Sequence, residues 1–125
     1  TPQHYTKVVD YNWRQNYVTC QGLIKASSET LTHGAIYHAL PKTNAVIHVH
    51  HQLLWFQLLD QIPTTDPDCA YGTPEMAEEI IRLCQQPLTQ QQRIIAMSGH
   101  ESGILTFGHN LNQAGETLLK YFATT

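Results

Sequence analysis

Apolar positions change their spacing several times along the chain, and each change predicts an element. Residues 5–10 (Tyr-Thr-Lys-Val-Val-Asp) and 17–20 (Tyr-Val-Thr-Cys) are rich in β-branched and aromatic side chains and read as two strands, with 12–16 as the turn between them. Ser27 or Ser28 offers an N-cap for a helix over 29–40, which Pro41 stops. Residues 41–44 form a turn and 45–49 a short buried strand. Behind that strand, Leu53, Leu54, Phe56 and Leu58 mark a helix packed on a sheet. Residues 63–72, rich in Thr, Asp and Pro, form a loop. Thr73-Pro74-Glu75 combines an N-cap, a first-turn proline and an acid at the positive end of the helix dipole, so a helix starts there and is expected to end near Gln86. Residues 87–92 are expected to link it to a strand over 93–97, and 103–107 to form another strand. Asn110 or Asn112 caps a final amphipathic helix carrying Leu118, Leu119 and Phe122. There is no internal repeat. Strands and helices interleaved by short connections predict an α/β fold, a layered sheet with helices on its faces.

Composition narrows this picture to one domain, residues 1–125. With 42% hydrophobic residues, a chain of 125 residues buries a core without metals or disulfides as staples, so a metal here would be functional. Ten acidic residues against seven basic ones, a formal charge of −3 and the absence of a basic run argue against a nucleic-acid partner. No apolar stretch approaches the ~18 residues that a membrane span requires. Cys20, Cys69 and Cys84 are odd in number and widely spaced, which fits reduced thiols in a cytoplasmic protein. The N-terminus, Thr1-Pro2-Gln3-His4-Tyr5, shows neither an initiator methionine nor a signal-peptide pattern and reads as a chain begun partway along, processed or trimmed.

Chemistry concentrates in three segments. His48-Val49-His50 ends the apolar run Ala45-Val46-Ile47, and a strand period of two aims both imidazoles the same way. Alternate side chains on a strand stand roughly 6.6 Å apart, a gap that two inclined rings close onto one ion. The alternative is two histidines that simply end a strand with satisfied hydrogen bonds. His51 points the other way or opens the next helix. In the second segment, Ser27-Ser28-Glu29-Thr30-Leu31-Thr32-His33, Glu29 and His33 lie four apart on one helical face. There the carboxylate is either functional or first-turn electrostatics. The third, Ser98-Gly99-His100-Glu101-Ser102-Gly103, is a polar hinge between two strands that either presents a side chain at the mouth of the sheet or is a plain hairpin turn.

In order, Ser-Ser-Glu-x-x-x-His, Ala-Val-Ile-His-Val-His and His-Glu-Ser-Gly-Ile-Leu-Thr-Phe-Gly followed by an Asn-Leu-x-x-Ala helix resemble the class II aldolase/adducin family over about residues 17–121. The resemblance implies a three-layer α/β/α fold around a largely antiparallel central sheet. It implies a site in which His48 and His50 bind Zn2+ or another divalent transition metal and Glu29 is the acid/base. It also implies a homo-oligomer, a tetramer in the family's usual form. For the third ligand, an ungapped alignment on Gly103 places Ser102 in the ligand position, while a small insertion restores His100. We prefer His100, which completes a three-histidine site with an open position, with Glu101 as the reserve. Tyr37, Tyr71 and Tyr121 are candidates for the phenolic proton donor of family aldolases, or else amphipathic residues at a core edge or interface. Of these we retain Tyr121, and residues 70–75 are expected to wall the cleft. Family aldolases carry a glycine- and serine-bearing phosphate loop in a portion that would precede Thr1, so either this chain lacks that portion or its substrate has no phosphate.

The implied activity is metal-dependent aldol or retro-aldol cleavage of a small hydroxy-carbonyl compound, a sugar or sugar phosphate, through a metal-stabilised enediolate. The alternatives are an epimerase or dehydratase of the same family, or an adducin-like binding protein without turnover.

Overall fold

In the computed structural model, which describes residues 2–123, the elements run β1 (Thr6–Asn12), β2 (Tyr17–Gly22), α1 (Thr30–Ala39), β3 (Ala45–His50), α2 (Gln52–Leu58), α3 (Pro74–Cys84), α4 (Pro87–Gln92), β4 (Ile94–Ala96), β5 (Gly103–Gly108) and α5 (Leu111–Ala123). β1 and β2 form an antiparallel hairpin. The other three strands form an antiparallel sheet in the order β3-β5-β4.

Strand alternation builds the layers. Leu105 and Phe107 of β5, with Ile95 and Met97, join a cluster containing Ala35 and Ile36 of α1 and Met76, Ala77, Ile80, Leu83 and Cys84 of α3. Their strand neighbours Ile94, Ala96 and Ile104 join Leu54, Trp55 and Leu58 of α2, with Tyr121 and Phe122 of α5 packed alongside. Helices therefore cover both faces of the three-stranded sheet, the α/β/α layering that the family resemblance implies. Val46 packs toward the first cluster and Val49 toward the second. His48 and His50, in step with Val46, consequently share the face of α1 and α3.

The free edge of β4 is covered by the segment before α3. Thr64 bridges Ala96 in parallel, Ala96 N donates to Pro63 O at 2.9 Å, and Thr65 N donates to Ala96 O at 3.0 Å. The buried Thr65 hydroxyl then accepts from Ser98 N, tying this segment to the loop after β4. The β1–β2 hairpin sits on α1, where the Tyr11 ring occupies the space that a side chain at Gly34 would need.

Three local expectations are corrected. Residues 87–92, expected only as a link to the next strand, form the short helix α4, because Pro87 suits a first helical position and buried Thr89 anchors the turn. At α1 the cap position falls on Glu29, without a side-chain cap. The Ser27 hydroxyl accepts from Glu29 N at 3.0 Å, and the Glu29 carboxylate turns toward His100 instead. In α5 the buried positions are Ala114 and Thr117, while Leu119 faces outward. Of the two asparagines, Asn110 accepts from Gln113 N.

Candidate metal centre

One strand and one loop bring three imidazoles together. His48 and His50 project from β3, whose register pairs His48 with Leu105 and His50 with Gly103. Because Gly103 has no side chain, the His100 ring fills the place beside His50: a Cβ on Gly103 would lie 3.2 Å from Cγ of His100. The loop 98–102 is pinned at several points. Met97 N donates to Gly103 O at 3.0 Å, Gly103 N to His100 O at 2.9 Å, and His51 N to Ser102 O at 3.0 Å. Ser102 takes a left-handed φ of 68° to close the turn. Gly99 lies so close to the Cys69 carbonyl that a side chain there would collide with it.

Ring centroids are 4.8 Å apart for His48 and His50, 5.1 Å for His48 and His100, and 4.5 Å for His50 and His100. One nitrogen of each of the three lies within 4.8 Å of the others. Glu29, only 6% exposed, brings Oε1 within 2.9 Å of His100 Nδ1, a close contact whose angles fall short of a hydrogen bond. Both Glu29 carboxylate oxygens, His48 Nε2 and His100 Nδ1 are therefore buried without a hydrogen-bond partner. Burial of such groups is costly, and a cation among them would remove the cost.

Electrostatics point the same way. Burial, reinforced by the neighbouring His100, His50 and His33, pushes the His48 pKa down to about 4. Burial lowers that of His100, against the opposing pull of Glu29. Neutral imidazoles with available lone pairs are the form that binds a divalent transition ion. The donor set fits such an ion: three nitrogens and a nearby carboxylate.

Two further side chains border the cluster. The Tyr71 ring lies 4.6 Å from that of His100, and Gly72 passes against Ser28. Of residues 70–75, Tyr71 thus flanks the imidazoles, while Thr73 caps α3 as its sequence suggests. His33, one helical turn after Glu29, lines with Ser27, Glu29, Thr30 and His48 a cavity of about 270 Å³. The Glu29–His33 spacing signals a shared helix face, but only the packing of α1 against β3 places that face over His48.

The remaining candidates lie elsewhere. Glu101 is exposed and its Oε1 accepts from Gln52 Nε2 at 3.4 Å, outside the imidazole group. Tyr121 packs against the cluster beneath α2 and lines a cleft that contains none of the three histidines. His51 opens α2, its Nδ1 accepting from Leu54 N at 3.1 Å, which fixes the proton on Nε2. Among the described residues no helix is long and apolar enough to cross a membrane. A family model described as the class II aldolase and adducin N-terminal domain matches residues 3–121.

Proposed function

Because the chain belongs to the class II aldolase/adducin family, we propose that it is a metal-dependent lyase that cleaves a small hydroxy-carbonyl compound, a sugar or sugar phosphate, by a retro-aldol reaction. The observation that carries this reading is the buried carboxylate of Glu29, without a hydrogen-bond partner and 2.9 Å from one of three converging imidazoles. An adducin-like scaffold has no use for such a carboxylate, and it would lower that scaffold's stability.

His48, His50 and His100 would hold the ion, zinc being the first choice for three neutral imidazoles. When bound, such an ion polarises the substrate carbonyl and its neighbouring hydroxyl and offsets the negative charge that develops as the carbon–carbon bond breaks. Glu29, starting as a carboxylate, would take the proton of the hydroxyl that becomes the new carbonyl and return it to the carbon released by the cleavage, both transfers reversing in the synthetic direction. Tyr71, packed on His100, would hold that ring in place and keep water from one side of it. The unpaired Cys20, Cys69 and Cys84 support a reducing, cytoplasmic setting. The same reading takes the working form as a homo-oligomer.

Chelation followed by metal add-back tests the proposal. Stripped protein should cleave no sugar or sugar phosphate in an aldol screen, and one equivalent of zinc or a similar ion should restore cleavage. Substrate turnover that is indifferent to chelation, or a protein that binds no transition metal near neutral pH, would overturn it.

A further inference from the structure

At the opposite end of the three-stranded sheet from the imidazoles lies a polar cleft of about 610 Å³. The imidazoles sit where β5 begins, with Gly103 paired to His50, whereas Arg93 precedes β4 and its carbonyl accepts from Phe107 N near the end of β5. Four residues of strand separate the two ends, roughly 13 Å.

Three features of this cleft lack a structural explanation. Arg93 holds a left-handed φ of 57° at the C-cap of α4, a position usually taken by glycine or asparagine. Its Nε is buried without a hydrogen-bond partner, and so is Oε1 of the adjacent Gln92. Finally, Arg93 and Lys120 set two positive charges against the single carboxylate of Glu116, and none of the three joins an ion pair among the described residues.

The unmet groups are complementary in kind. A guanidinium Nε–H seeks an acceptor, best an oxyanion, while an amide oxygen seeks a donor. Gln113 already uses its side-chain oxygen to accept from His109 N, which leaves its amide nitrogen to donate. We propose that this cleft is a second binding site, distinct from the histidine cluster, for a small oxyanion that also carries hydroxyl groups. Arg93 and Lys120 take the charge and Gln92 accepts from a hydroxyl. The inference is independent of the lyase reading.

Glycerol 3-phosphate and glycerate are the probes, one for a phosphate and one for a carboxylate, with inorganic phosphate and glycerol as partial ligands. They are titrated into chelator-treated, isotope-labelled protein and followed by the amide resonances of Gln92, Arg93 and Gln113. Saturable shifts at these residues with glycerol 3-phosphate or glycerate are expected, with weaker binding of phosphate and none of glycerol. Arg93→Asn keeps a residue that tolerates the left-handed backbone and should weaken binding at least tenfold; Lys120→Gln should weaken it several-fold. His48→Asn should leave it unchanged. Absence of saturable shifts for both probes, or affinity unaltered in Arg93→Asn and Lys120→Gln, overturns the site. Inorganic phosphate binding as tightly as the better probe overturns the part assigned to Gln92.

Discussion

Replacing Glu29 by glutamine separates its proton chemistry from its packing. The side chain keeps its volume in a nearly closed position, so the three imidazoles should stay together and metal content should be unchanged. Cleavage should fall by roughly 10²–10⁴-fold, the scale of a lost acid/base group. Exchange of the substrate carbon-bound proton with deuterated solvent, followed by NMR, reads this directly; exchange at the parent rate would remove Glu29 from the role. His48 yields a pH prediction. Its ordinary value near 6.5 drops to about 4 in the fold, so between those pH values the unfolded chain takes up a proton that the folded one refuses. Stability of metal-stripped protein should be unaffected by this group above pH 6.5, decline as pH falls from 6.5 toward 4, and reach its full loss below that. Denaturant midpoints measured across this window should fall less steeply in His48→Asn. The strand period of two alone put the His48 and His50 rings on one side. The position of His100 was not legible from spacing, because it depends on a left-handed Ser102 and on Gly99 passing against the Cys69 carbonyl, contacts made by residues about thirty positions apart.

Elements position the centre through two glycines with different costs. A methyl at Gly99 would meet the Cys69 carbonyl, part of a loop held by Glu79, whose carboxylate accepts from Asp66 N at 2.7 Å while Arg82 keeps its pKa below the usual carboxylate range. That backbone cannot easily retreat. Gly99→Ala should therefore destabilise the protein by about 1–3 kcal/mol, as overpacking does, seen as a lower urea midpoint. At Gly103 the intruding methyl would meet the His100 carbonyl oxygen at 3.0 Å, Cγ of its ring at 3.2 Å and Met97 Sδ at 3.3 Å, crowding that a shift of the His100 segment by a few tenths of an ångström relieves. Gly103→Ala should cost under about 1.5 kcal/mol of stability, but displace His100 and weaken metal affinity about tenfold, within the range for disturbed ligand geometry. Equal effects of the two substitutions on metal binding would refute this division. Most element types were readable from apolar spacing and from Pro, Ser, Thr and Asn at the ends. α4 was not, since Leu-Thr-Gln-Gln-Gln has no apolar period and its only buried residue, Thr89, is polar. Leu119, one of the apolar residues that mark α5 as amphipathic, faces outward because the buried face is set by Ala114 and Thr117, small residues that let the helix approach the sheet.

At the scale of the whole molecule, the metal centre ties together parts that the two apolar clusters hold separately. Glu29 stands at the start of α1, His48 and His50 on β3, and His100 on the loop joining β4 to β5. An ion bound only by the folded arrangement adds RT ln(1 + [L]/Kd) to stability, about 4 kcal/mol at a thousandfold excess over Kd. For a chain of this length, with an unfolding entropy near 2.1 cal/mol/K per residue, 1 kcal/mol corresponds to about 4 °C. Zinc at that excess should therefore raise the melting temperature of stripped protein by roughly 10–15 °C, the lower figure allowing for weak binding by histidines of the unfolded chain. Because both clusters are complete without the ion, stripped protein should still melt cooperatively, unlike a domain that folds only around its metal. His50→Asn, a change at the exposed member of the triad, should leave the stripped melting temperature within a few degrees of the parent and abolish most of the zinc-induced rise. Calorimetry with and without chelator measures both quantities in one experiment. An equal rise in parent and variant would place the ion elsewhere, and a stripped protein without a cooperative transition would make the metal a part of the fold instead of a reagent held by it.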